Sequence, residues 1–251
     1  MHADKTLTVD AGQITVTDSY EGLESAVITI NGGNIRLASS DDGINVASGV
    51  DGSGMGGRPT LGGGRFPEQG DAFAATGDTF LHINGGYIYV NAMGDGLDVN
   101  GAITMSGGTV IVDGPTQNMN GAVDYDRGFT ITGGTLVAVG SAGMAQAPDT
   151  SSTQYSLLLN LSSALRAGAL VRIQDQSGAA LLTFAPAKSY QSIVFSSPEI
   201  QAGATYDLYS GGSMSGAAMD GLYDDGDYTA GVRAGSVTVT GIATIVGGRM
   251  R

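Results

Sequence analysis

LHINGGYIYV, residues 81–90, alternates apolar and polar side chains on both sides of a Gly-Gly corner. That is the pattern of two short strands joined by a turn. The same pattern recurs as LTVDAGQITV (7–16), ITINGGNIRL (28–37), ITMSGGTVIV (103–112) and FTITGGTLVA (129–138). Aligned on Gly12, Gly33, Gly86, Gly108 and Gly134, the units lie 21, 53, 22 and 26 residues apart. The basic period is therefore near 21 or 22, with one long and one short insertion. No strand pair this short buries its own apolar side, but turns stacked about 4.8 Å apart align the Leu, Ile and Val positions into continuous interior rows. The spacing predicts an all-β chain built as a right-handed parallel β-helix. A leucine-rich horseshoe, the rival at this period, needs Leu and Asn at offsets the units do not have.

The long insertion, about residues 50–78, contains GSGMGGRPTLGGGRFPEQG and has no periodicity. It is expected to loop out between neighbouring coils, either as a plain mobile loop or as a ligand-contacting flap carrying Arg58, Arg65 and Phe66. From about Gln154 the glycine period gives way to YSLLLNL, ALVRIQDQSGAALLTFA, YQSIVFSS and SVTVTGIATIVGG. Residues 1–148 thus read as coil, and 149–251 as a β-rich cap over one open end, with QDQSGAA as a hairpin turn and Asp224, Asp225 and Asp227 in a polar turn. The chain enters at Thr6–Val9 already inside a unit, so the first rung is expected to meet further coils or another molecule end to end.

Composition narrows the function. Glycine fills 42 of 251 positions, while apolar residues still reach 41%, which suits a packed, turn-rich domain. Eleven basic residues against 24 acidic ones give a formal charge of −13, a surface that repels phosphate backbones, so nucleic acid is not the expected partner. Cysteine is absent, which excludes disulfides, thiolate metal sites and Cys nucleophiles. The apolar runs are too short to span a bilayer as a helix, and Met1–Asp10 lacks the apolar core of an export signal.

The acidic excess is concentrated in the coil: residues 1–148 carry 16 acids and 5 bases. Nine positions after the first three anchors stand Glu21, Asp42 and Asp95, and twelve positions after them stand Glu24, Asn45 and Asp98. Each pair brackets a Gly and an apolar residue (Leu23, Ile44, Leu97) expected to point inward. Stacking then piles like charges one rung apart, an arrangement that a hard cation with oxygen ligands relieves. Calcium, more than one ion, is the expected cofactor. Asn120, Asp124 and Asp126, in the lengthened fourth turn, form a second candidate set. The competing reading is a solvated edge that uses Asp-Gly because it turns well.

For ligand contact, Gln13, Asn34, Tyr87, Thr109 and Thr135 form one outward column, and Thr15, Arg36, Tyr89, Ile111 and Val137 the next. Tyr87 and Tyr89 are expected to face solvent together, with Asn34 and Arg36 beside them, a surface suited to sugar rings and uronate carboxyls. No catalytic residue is expected. An eliminating lyase needs a Lys or Arg base, and Lys5, Lys188, Arg36 and Arg127 read as surface charges. A Ser-His-Asp triad is excluded in practice, because His82 is the one histidine in the body of the coil.

GQITVTDSYEGLESAVITINGGNIRLASSDDGINVASG (12–49) and LHINGGYIYVNAMGDGLDVNG (81–101), with LLTFAPAKSYQSIVFSSPEI and TYDLYSGG in the cap, resemble a family of cell-surface carbohydrate-binding proteins of cellulolytic anaerobic bacteria. That family comprises calcium-binding right-handed β-helices related in fold to family 9 pectate lyases. The resemblance implies non-catalytic, calcium-dependent binding of plant cell-wall polysaccharide, polygalacturonate or cellulose, at an extracellular bacterial surface. It also implies Glu21, Glu24, Asp42, Asn45, Asp95 and Asp98 as calcium ligands. Two other function classes stand beside it: a lyase acting on uronate polymers, and a structural or adhesive module that self-associates.

Overall fold

The computed structural model describes residues 1–47 and 78–247. The inserted segment, with Arg58, Arg65 and Phe66, lies outside the described residues. Among the described residues every regular element is a strand, and no helix is long and apolar enough to cross a membrane.

Thirteen strands carry the repeat: β1 (His2–Val9), β2 (Gln13–Val16), β3 (Leu23–Ile30), β4 (Asn34–Ser39), β5 (Ile44–Val46), β6 (Phe80–Ile83), β7 (Tyr87–Ala92), β8 (Leu97–Val99), β9 (Ala102–Met105), β10 (Thr109–Asp113), β11 (Val123–Tyr125), β12 (Gly128–Ile131) and β13 (Thr135–Gly140). They pair in parallel as three ladders. The first runs from the end of β1 through the second half of β3 to β6, β9 and β12. The second is β2, β4, β7, β10 and β13. The third joins the first half of β3 to β5, β8 and β11. The chain visits the ladders in the same order each time, so residues one period apart become register partners.

Those registers create the core. Leu7, Ile28, Leu81, Ile103 and Phe129 stack in the first ladder, and Leu37, Val90, Val112 and Ala138 in the second. Leu23, Ile44, Leu97 and Val123 stack in the third, and all these side chains are buried. Each of them except the smaller Ala138 contributes on the order of 1.5–3 kcal/mol by leaving water. The anchors make the corners: all five glycines hold φ between 86° and 101°, the left-handed region that a side chain resists. Outside the same corner a polar ladder runs from rung to rung. Asn31 Nδ2 donates to Asp10 Oδ1 at 2.7 Å, Asn84 Nδ2 to Asn31 Oδ1 at 2.8 Å, and Ser106 Oγ to Asn84 Oδ1 at 3.2 Å.

The C-terminal part adds β14 (Ser156–Leu165), β15 (Val171–Gln174), β16 (Ala180–Phe184), β17 (Tyr190–Ser196), β18 (Thr205–Met214), β19 (Ala218–Met219), β20 (Leu222–Tyr223), β21 (Tyr228–Thr238) and β22 (Ala243–Val246). It does two things where the sequence suggested one. Strand β17 pairs antiparallel with β13, and β14 and β22 follow, so the second ladder is extended beyond its last repeat. The other six strands form an antiparallel sheet that lies against the outer face of that ladder. Ile111, Val137 and Val139, outward positions of β10 and β13, are buried there with Leu157, Phe184 and Phe195 in a second core. QDQSGAA is the β15–β16 hairpin connection, its Asp175 Oδ1 accepting from the Ser177 and Ala179 amides. Asp224, Asp225 and Asp227 are exposed between β20 and β21, as a polar turn requires.

Candidate functional site

The acidic positions meet at the turn that leads from the second ladder into the third. Glu24, Asn45, Asp98 and Asp124 are successive register partners on the third ladder. Glu21, Asp42 and Asp95 precede the same strands. Asp42 Oδ1 accepts the Asp95 amide at 2.7 Å, and Asp95 Oδ1 accepts the Gly121 amide. These carboxyls are partly withdrawn from water: Asp42 is buried, and Asp95 and Asp98 are half-buried. Burial pushes Asp42 up to about 7 against a partial offset from its amide bond, with Asp41, Asp95 and Glu21 adding repulsion. Burial pushes Asp95 up to about 6, again against an amide bond, with Asp124 and Asp41 adding to it. Asp98 rises furthest, to about 8: burial is the main cause, followed by the charges of Asp42, Asp95 and Asp124, and it hydrogen-bonds to Asp42. Two carboxyls that bond to each other must share a proton. Glu24, at the head of the column, meets His2 Nδ1 at 2.7 Å.

The glycines of the acid-Gly-apolar motif have a packing reason rather than a turn reason. Gly22, Gly43 and Gly96 are not left-handed; a Cβ on Gly96 would strike Val112 and the Ala122 carbonyl, and one on Gly43 would strike Val90 and the Gly96 carbonyl. Close approach of successive rungs thus accounts for the glycine and leaves the buried acid beside it unexplained by turn chemistry. At Gly94 a Cβ would run into the Asp42 and Asp41 carboxylates, so the absence of a side chain there keeps room beside those oxygens.

The lengthened fourth turn changes the register. Gly121 stands opposite Asp95, and the carbonyl of the neighbouring Asn120 accepts the Ser141 hydroxyl at 2.9 Å. Asp124 joins the buried column, and its Oδ1 accepts Gln146 Nε2 at 3.1 Å; Asp126 is exposed. One residue that the spacing did not single out lies at the mouth. Tyr20 is 53% exposed, and its phenol, held by a hydrogen bond to Asp41, is pushed up to about 12.

The aromatic face differs from expectation because the C-terminal sheet covers part of it. Tyr87 and Tyr89 are half-buried: the Tyr87 hydroxyl donates to the Met219 carbonyl at 3.2 Å, and the Tyr89 hydroxyl to Asp113 Oδ2 at 2.9 Å. Burial raises both phenols well above their usual range. Arg36 lies over the Tyr87 ring at 5.3 Å, bonds Asn34 Oδ1, and forks onto Asp220, with Nε to Oδ1 at 3.2 Å and Nη2 to Oδ2 at 2.8 Å. Asp220 holds φ 48° in the two-residue Asp220–Gly221 turn between β19 and β20. Lys188 completes the seam. Its ammonium donates to the Ala92 carbonyl, and burial lowers it to about 8 despite the pull of Asp113. Sequence reading missed Asp113, Lys188 and Asp220 as partners, since Asp220 is 184 residues from Arg36 and no local pattern joins them.

Among the described residues no group of three or more His, Cys, Asp or Glu stands ready-made as a metal cage. The donor chemistry of Asp42, Asp95 and Asp98 nevertheless fits a hard cation: all oxygen, buried or half-buried, and repelling one another. Comparison with protein-family profiles, with curated proteins and with solved structures gives no match. The functional reading therefore rests on the fold and the site alone.

Proposed function

We propose that the three ladders wind as a right-handed β-helix whose acidic turn holds calcium and, through it, a uronate-bearing plant cell-wall polysaccharide, without cleaving the chain. Polygalacturonate is the favoured ligand and cellulose the uncharged alternative; the place of action is an extracellular bacterial surface. The observation that carries this reading is the group of buried Asp42 and half-buried Asp95 and Asp98, in which Asp42 and Asp98 bond to each other. Asp42, Asp95 and Asp98 would hold the ion, with Glu21 and Asp124 alongside. When bound, calcium supplies the positive charge that lets an acidic protein hold an acidic polymer. Tyr20 offers an exposed ring at the mouth for a sugar face. Arg36 and Asn34 would form a second contact only by exchange, a uronate carboxylate replacing Asp220 in the Arg36 fork.

Retention on a polygalacturonate gel checks this. Replacing calcium by EGTA is expected to abolish retention, and Tyr20→Ala to weaken it about tenfold, the effect of losing roughly 1.4 kcal/mol of ring contact. Retention unchanged in EGTA would refute calcium dependence.

One observation favours a second reading, elimination on the same polymer. Lys188, lowered to about 8, lies beside Asp113 and the Ala92 carbonyl near the acidic turn, where a neutral amine serves as a base at alkaline pH. If binding alone is the function, incubation with polygalacturonate and calcium at about pH 9, above that Lys188 value, gives no rise in unsaturated-product absorbance. A rise abolished by Lys188→Met would establish the lyase.

A further inference from the structure

Among the described residues the sheet that contains the second ladder ends in two unpaired edges, β2 and β22, and both run in the same direction. Strands β2 to β13 are parallel. The chain then reverses at β17 and again at β14, and β22 is parallel to β14. Two reversals restore the original sense, so β22 presents to the outside a strand of the polarity that β2 would meet from a preceding rung.

The side-chain rows agree with that polarity. Register partners carry one row from Val16 through Leu37, Val90, Val112, Ala138, Val194 and Leu158 to Ile245. Its middle members are buried in the core, whereas Val16 is half-buried and Ile245 is 61% exposed. The row stops in solvent with an apolar side chain at each end. Neither edge is blunted in the usual ways, by charge, proline or bulge: β2 reads QITV and β22 reads ATIV. Neighbouring edges are blunted. β1 carries Asp4 and Lys5 across a register shift, and β21 carries an extra residue, Ala234, in its pairing with β18. At the far end residues 149–154 bond over β12 and the Gln146 side chain accepts the Tyr125 amide of β11, so among the described residues only the second ladder is carried on by further strands.

We infer that β22 of one copy of this chain pairs in parallel with β2 of the next, continuing the second ladder head to tail and placing Val16 of one copy over Ile245 of the other. The contact is heterologous, so the product is an open chain of copies rather than a closed dimer.

Sedimentation velocity over a range of concentrations tests it, using Thr15→Pro for one edge and Ile245→Lys for the other. Asn34 N–H donates to the Gly12 carbonyl, and the alternation from there turns the Ile14 and Val16 amides toward β4 and the Thr15 amide toward the free side. The proline therefore removes an outward donor, and the lysine charges an exposed position. Wild type is expected to grow into species larger than dimers as concentration rises, each variant alone to remain monomeric, and an equimolar mixture to stop at dimers, since only one competent edge survives on each. Circular dichroism melting checks that both variants fold. A wild type that stays monomeric throughout, or variants that assemble as it does, would overturn the inference.

Discussion

Stripped of divalent cations, the folded chain is expected to lose stability as pH rises from about 5 to about 8, and calcium to restore it. In the folded state burial holds Asp95 up to about 6 and the hydrogen-bonded Asp42–Asp98 pair higher still, above the 3.8 of an unperturbed aspartate. Between those values the folded chain holds protons that the unfolded chain has released. Unfolding free energy must then fall as pH rises through that window. Across that window Asp95 alone contributes on the order of 1 kcal/mol, and the Asp42–Asp98 pair adds to it. Calcium ligation requires the ionised carboxylates, so the ion relieves at pH 8 the repulsion that protons relieve at pH 5. Thermal melts in EGTA and in calcium at both pH values read this directly. A chelated protein equally stable at both would mean that the carboxyls are solvated and the burial argument is wrong.

Gly86→Ala is expected to cost about 3–4 kcal/mol, and Gly12→Ala about 1–2 kcal/mol, in urea denaturation. Both glycines are left-handed, at φ 90° and 101°, so the backbone strain is shared. The surroundings differ. A Cβ at Gly86 would lie 2.9 Å from the Gly33 carbonyl oxygen and 3.0 Å from the Gly32 carbonyl carbon, while one at Gly12 would meet nothing within 4 Å. Backbone held by ladder bonds cannot move aside, so the interior corner adds a clash that the terminal corner lacks. Equal costs at the two sites would contradict the stacking of the corners.

Much of this arrangement was legible in the residues themselves. Period-two alternation around five glycines fixed the strand pairs, and the anchor spacing brought Glu24, Asn45, Asp98 and Asp124 into one column although an insertion separates the second from the third. The covered outer face was less visible, yet it left a trace. Ile111 and Val137 are apolar at positions that the alternation assigns to solvent, and an apolar residue on both faces signals a sheet buried on both sides. The Arg36–Asp220 and Lys188–Asp113 pairings had no such trace, because they form where the C-terminal sheet meets the second ladder. That Asp124 continues the column was not legible from the plain period: four residues more in the fourth turn place Gly121 opposite Asp95 and Asp124 opposite Asp98.

The central claim is that the buried carboxyls form a cation site. Calorimetric titration of calcium into EGTA-stripped, dialysed protein tests it most directly, run beside Asp42→Ala with Asp95→Ala. Saturable uptake with proton release in wild type, lost in the double variant, is the predicted result. Absence of saturable uptake in wild type, or unchanged uptake in the double variant, would contradict it.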